Sequence, residues 1–221
     1  DHRVTFIHQT LIDINKKLKE YGTSLNVKYG DTQEVFQQLI SEYDIHSVYI
    51  NRDYEPYALK RDLMIKDLLA QEDIEFHTFK DQVIFETNEV VKDDGTPYVV
   101  YTPYKNKWRG KIDPQKDLMS YNSEDFLGNL MKKKNTMLSL EDIGFEESTI
   151  KVPQYILNMD LIQSYKNKRD FPALEGTSCL GTYLRFGLVS IRSIMKTAYF
   201  SSEPTFANEL IWREFFMNIM W

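Results

Sequence analysis

One cysteine in 221 residues, Cys179, excludes an intramolecular disulfide and a cysteine-based metal cluster, as expected of a chain kept in a reducing cytosol. The four histidines, His2, His8, His46 and His77, stand on separate predicted elements without an HxxxH or HxxE spacing, so no metal site is expected. No GxGxxG, Walker or GxSxG string occurs, which leaves the common phosphate-loop and nucleophile-elbow chemistries without a carrier. No run approaches the roughly 18 uninterrupted apolar residues of a spanning helix. The opening Asp1-His2-Arg3-Val4-Thr5-Phe6 also lacks the basic-then-apolar order of a signal peptide. A cytoplasmic chain with no membrane partner is expected. Cations are in deficit too: 27 Lys and Arg against 33 Asp and Glu give a net charge of −6, which speaks against polyanion binding over the whole surface.

Apolar and aromatic residues are plentiful, at 42% and 14%, enough for a sizeable core. Positive charge is gathered locally. Residues 101–140 carry Lys105, Lys107, Arg109, Lys111, Lys116, Lys132, Lys133 and Lys134 against half as many acids, either a solvated face or a phosphate-facing one.

Two periods alternate in the first half. Phe6, Ile7, Leu11, Ile14 and Leu18 recur at helical spacing before Gly22. Leu25, Val27 and Tyr29 alternate as in a strand, and Asp31 with Glu34 predicts the start of a second helix. Ser47-Val48-Tyr49-Ile50 predicts another strand, Pro56 the first turn of a third helix carrying Leu59, Leu63, Leu68 and Leu69, and 76–85 further strand. Strands separated by amphipathic helices imply a parallel sheet with flanking helices, hence an α/β domain. Asp93-Asp94-Gly95 signals a hairpin turn, and Thr102-Pro103 an N-cap followed by proline. Residues 111–155 have little period and are expected to be a linker. Helical spacing resumes at Asp160.

Two segments bear chemistry. The run from Arg169-Asp170-Phe171-Pro172 to Thr177-Ser178-Cys179-Leu180 turns at Pro and Gly and predicts a helix start at Thr177-Ser178. There, hydroxyls and free N–H groups either cap the helix or bind an anion. In Asn208-Glu209-Leu210-Ile211-Trp212-Arg213-Glu214-Phe215-Phe216, a helix would put Glu209, Trp212, Arg213 and Phe216 on one face. Acid, cation and two rings suit either a half-buried Glu209–Arg213 pair or a nucleobase site.

Together these strings resemble the photolyase and cryptochrome family along essentially the whole chain. Asn51-Arg52-Asp53-Tyr54-Glu55-Pro56-Tyr57-Ala58, Tyr101-Thr102-Pro103-Tyr104 with Trp108, Leu184-Arg185-Phe186-Gly187 with Ser190-Ile191-Arg192, and Glu209-Leu210-Ile211-Trp212-Arg213-Glu214-Phe215 carry the likeness. The resemblance implies a Rossmann-like α/β domain at 1–110, a linker at 111–155, and the beginning of an all-α FAD-binding domain at 156–221. It implies repair of cyclobutane pyrimidine dimers in DNA by light-driven electron transfer from reduced FAD. Tyr165, Thr177, Ser178, Cys179, Leu180, Gly181 and Phe206 match flavin-holding positions. Gly181 stands where many members have Ser, and Phe206 where many have Trp. Glu209 and Trp212 match catalytic contacts to the flipped dimer, Arg213 and Phe216 the face that receives it, and Arg169 a position near the DNA backbone.

Tyr57-Ala58 replaces the Asn-Glu pair of folate-using members, so an antenna other than folate, or none, is expected. The resemblance further implies a monomer, a strand–helix–strand unit ahead of Asp1 and much of the flavin cavity after Trp221, so that these 221 residues alone should hold FAD poorly. A cryptochrome without repair is the alternative, or a non-catalytic nucleotide-binding α/β domain with a helical appendage.

Overall fold

Side-chain capping sets the first helices. The computed structural model describes residues 1–220. Helix α1 (His2–Glu20) starts where the Asp1 carboxylate accepts the Arg3 N–H, and ends before Gly22, whose φ of +74° suits glycine. Helix α2 (Thr32–Glu42) starts at Asp31, whose carboxylate accepts the N–H groups of Gln33 and Glu34 at 2.9 and 3.2 Å, as the spacing predicts.

These helices belong to the first of two compact units, Asp1–Tyr43 with Tyr121–Gln154. The strand expected from Leu25, Val27 and Tyr29 does not form. Side-chain bonds take the place of a ladder: the Leu25 N–H donates to the buried Asn15 Oδ1 at 2.9 Å, and the Thr23 and Ser24 hydroxyls donate to the Met131 and Lys133 carbonyls. Alternation alone does not make a strand when no neighbour supplies the hydrogen bonds. Residues 121–154 carry two short 3₁₀ turns, Ser123–Asn129 and Glu141–Ile143, and fold onto α1. His8 Nε2 lies 2.8 Å from the Leu138 carbonyl, and the Ser148 N–H donates to Thr5 Oγ1 at 3.0 Å.

The second unit comprises residues 44–120 and those from 155 on. Strand β1 (Ser47–Asn51) pairs in parallel with β2 (Glu75–Phe79), Tyr49 opposite His77, and α3 (Pro56–Ala70) makes the crossover with Pro56 in its first turn. Helix α3 buries Ala58, Ile65 and Leu69, whereas Leu59 and Leu63 are exposed. The hairpin expected around Asp93-Asp94-Gly95 reduces to a turn with Gly95 at φ +80° and a single bridge, Val91 to Pro97, because proline has no N–H to extend it.

Helix α4 (Tyr101–Lys111) starts two residues earlier than predicted, with Val100 as N-cap in place of Thr102. Pro103 thereby sits where helix N–H groups lack partners anyway. After the short α5 (Pro114–Asp117) come α6 (Met159–Lys168), α7 (Gly181–Arg185), α8 (Ile191–Tyr199) and α9 (Thr205–Met220). Their apolar faces meet around Trp108, Ile162, Met195 and Ile211, each at most 1% exposed. Helices with a small parallel sheet confirm the expected α/β class followed by all-α structure.

Candidate functional site

Helix α9 presents a polar-aromatic edge. Glu209 pairs with Arg169 from the end of α6, not with Arg213, and the Arg169 guanidinium lies 5.9 Å from the Tyr165 ring. The Glu209 charge raises the Arg169 pKa. Arg213 turns inward: its guanidinium donates to the Gln82 carbonyl at 2.6 Å and the Leu184 carbonyl at 3.4 Å, tying α9 to the segment after β2 and to α7. Trp212 is half-buried, with Tyr101 of α4 stacked on it at 3.6 Å between centroids and 10° between planes. Phe216, 57% exposed, follows at 5.4 Å and 24°. Four of the expected residues, Arg169, Glu209, Trp212 and Phe216, are thus brought to one edge, and Arg213 serves the backbone beside it.

The expected cofactor residues form a second group. Gly176 passes so close to Lys168 that a Cβ there would lie 2.6 Å from the lysine Cβ and 2.9 Å from its backbone, so only glycine lets the turn close. Beyond it, Thr177 and Ser178 lie outside any helix; the predicted helix start is displaced to Gly181, with Leu180 as N-cap. Cys179 explains the displacement. Its φ of +53° is left-handed, which costs about 1 kcal/mol outside glycine and cannot continue a right-handed helix. Thr177, Cys179 and Gly181 are exposed, Ser178 is half-exposed, and Leu180 is buried. Among the described residues no protein group bonds the Thr177 or Ser178 hydroxyl, and the Gly181 Cβ position is open. Tyr165 packs edge-on against Phe206 at 5.1 Å and 81°, and Phe206 is only 3% exposed, so it backs the tyrosine from within the core.

Two residues of consequence escaped the sequence reading. In the sequence Tyr101 stands out only within the Tyr101-Thr102-Pro103-Tyr104 string, yet it covers one face of Trp212. Glu214 is 2% exposed and accepts four donors: the Ile84 N–H at 2.7 Å, the Phe85 N–H at 3.1 Å, Trp108 Nε1 at 2.6 Å and the Tyr104 hydroxyl at 3.3 Å. Burial pushes its carboxyl up to about 7 against the pull of those donors. The signal was present: Glu214 falls at i+4 from Leu210, on the apolar stripe with Ile211 and Phe215, where a solvated acid would not be placed.

Among the described residues no cluster of His, Cys, Asp and Glu is arranged to hold a metal ion, and no helix is long and apolar enough to cross a membrane.

The DNA photolyase family model matches residues 1–120. Deoxyribodipyrimidine photo-lyase of Alkalihalophilus pseudofirmus is 34% identical over 235 residues, a match covering 97% of this chain and 48% of that protein. The crystal structure of a bacterial class III photolyase from Agrobacterium tumefaciens superposes with a TM-score of 0.77 at 22% identity, over 97% of this chain and 48% of the other. An archaeal photolyase from Sulfolobus tokodaii, solved with two FAD molecules, superposes with a TM-score of 0.68 at 22% identity, over 99% of this chain and 48% of the other. The chain spans about half the length of the relatives it matches. A family model that covers more than half of the residues, together with a shared fold along nearly all of them, shows that the chain belongs to the DNA photolyase family.

Proposed function

We propose that the full-length protein is a cytoplasmic, monomeric deoxyribodipyrimidine lyase that uses light and reduced FAD to split cyclobutane pyrimidine dimers in DNA, and that this chain supplies part of its flavin-holding and dimer-facing surface. The observation that carries this reading is the α9 edge, where a half-exposed carboxylate, a half-buried indole and an exposed phenyl ring stand in line beside Arg169. Flat rings stack on bases, and an acid accepts from base-edge N–H groups.

The residues present fit a flavin dinucleotide. The unbonded hydroxyls of Thr177 and Ser178, with the open space at Gly181, suit a diphosphate, and half-buried Tyr165 offers an aromatic wall. When bound, reduced FAD supplies the electron that opens the cyclobutane ring, while the protein contributes orientation and electrostatics. Glu209 then accepts hydrogen bonds from the dimer bases, with the Arg169 guanidinium paired beside it. Trp212 stacks, and Arg213 holds α9 in place through its two carbonyls. Tyr57, 72% exposed, stands where folate-using members differ, so any antenna is of another kind, as the second FAD of the Sulfolobus tokodaii structure illustrates.

The test is a pair of titrations of the full-length protein with DNA carrying one thymine dimer and with the same duplex undamaged, flavin absorbance being checked throughout. Trp212→Ala should weaken dimer binding by about 5- to 150-fold, the loss of one stacking ring, and leave undamaged binding nearly unchanged. Equal weakening on both duplexes would assign Trp212 to structure and remove the support for repair.

A further inference from the structure

The Trp212 ring is not free on both faces. Tyr101 lies parallel to it at 3.6 Å between ring centroids. The tyrosine is itself held at both ends. Its hydroxyl donates to the Asn208 carbonyl at 2.9 Å, on the first turn of α9, and the Lys105 ammonium sits 5.8 Å from its ring centroid. Phe215 meets Tyr101 at 5.8 Å and 65°, and Trp212 at 5.6 Å and 74°, closing the edge of both rings against the core. Burial first, then the Glu209 carboxylate, pushes the Tyr101 hydroxyl up to about 12, so it remains a donor at every physiological pH.

We infer that Tyr101 is a positioning residue for Trp212: it fixes the indole plane from behind, so that a planar partner stacks on a surface whose rotamer is already set. The inference rests on the proposed stacking role of Trp212. An unbacked indole at the edge of a helix samples several rotamers and loses them on binding; an indole clamped by a parallel ring and a hydroxyl anchored to its own helix has lost them on folding. Ordering one such side chain at binding costs a factor of about 3 to 10 in affinity, which the stack removes in advance.

The experiment uses the full-length protein with 5-fluorotryptophan in place of tryptophan, and compares wild type, Tyr101→Phe, Tyr101→Leu and Trp212→Ala. The Trp212 fluorine resonance is assigned by its absence in Trp212→Ala. Tyr101→Leu should move that resonance toward the position of an exposed indole and weaken dimer-containing DNA about 3- to 10-fold, with undamaged duplex unaffected. Tyr101→Phe, which keeps the flat face, should restore both readouts. Should Tyr101→Leu fail to fold, Tyr101→Met keeps the side-chain volume without a ring and serves the same purpose. Dimer affinity unchanged in Tyr101→Leu, equal loss on both DNAs, or no rescue by Tyr101→Phe would each overturn the inference. An unchanged dimer affinity in Trp212→Ala would instead sink the proposed function, so the two failures are distinct.

Discussion

Two regions of the chain are held by different physics. In the unit formed by 44–120 and the residues from 155 on, helices close around an apolar core and one buried carboxylate, Glu214, gathers donors from two segments, the Ile84-Phe85 backbone and α4. In the unit formed by 1–43 and 121–154, Leu140 is the one buried apolar side chain among the described residues, and the buried groups beside it are Asn15 and Thr23. Its extended segment is secured by side-chain bonds to backbone carbonyls and N–H groups. Each such bond contributes about 1 kcal/mol net, whereas each fully buried large apolar side chain contributes about 1.5–3 kcal/mol. Apolar burial is therefore where most of the stability resides, and it is concentrated in the unit that carries the candidate site.

Hydrogen exchange tests this contrast most directly. Amides in the middle of α9 should exchange at least about a thousandfold more slowly than those of α2, a gap of roughly 4 kcal/mol in opening free energy. Comparable protection in the two helices would mean that the polar unit is as firmly held as the apolar one.

Glu214 makes the next largest difference. Glu214→Leu leaves the Ile84 and Phe85 N–H groups and the Trp108 indole N–H buried without an acceptor. At about 1–3 kcal/mol for each orphaned donor, the loss should be 3 kcal/mol or more by urea denaturation. The pH dependence has a definite sign. The folded carboxyl titrates near 7 against an ordinary value of 4.5, so its contribution favours the folded state in acid and is lost as pH rises from about 4.5 through about 7. At about 1.4 kcal/mol per pH unit, wild type should lose roughly 3 kcal/mol relative to Glu214→Gln, which cannot ionise, between pH 4.5 and 8. A pH-independent difference would show that the four donors hold the carboxylate ionised throughout.

The same contrast explains how much was legible in the amino-acid sequence. Local chemistry could be read where it acts locally: Asp31 caps α2, Pro56 opens α3, and Gly22 ends the turn after α1, because each effect depends on residues within one helical turn. Leu25, Val27 and Tyr29 misled because a strand is defined by its neighbour, and the N–H of Leu25 is taken by Asn15. Thr177 misled because the left-handed backbone at Cys179, which delays the helix to Gly181, has no signature in residue type. On α9 the spacing did bring Glu209, Trp212 and Phe216 to one edge, but their partners, Arg169 and Tyr101, come from other helices 40 and more residues away. Only packing could reveal those pairs.

The smallest effect separates the two acids of α9. Glu209 and Glu214 lie five residues apart on one helix, yet the Glu209–Arg169 pair is about a third exposed on each side, while Glu214 is buried. Water and salt screen the first and not the second. A double-mutant cycle with Glu209→Gln and Arg169→Gln should give a coupling of only about 0.2–1 kcal/mol in stability at low salt. At 1 M salt, where the Debye length falls to roughly 3 Å, that coupling should drop by half or more, whereas the cost of Glu214→Leu should not move. The modest strength of the outer pair suits the proposed role of Glu209, in which the carboxylate exchanges its partner for a base edge, since a group bound by several kcal/mol would not be available to a ligand. A coupling above about 2 kcal/mol that ignores salt would mean that Arg169 and Glu209 are locked together, and Glu209 could not then serve as an acceptor for the dimer.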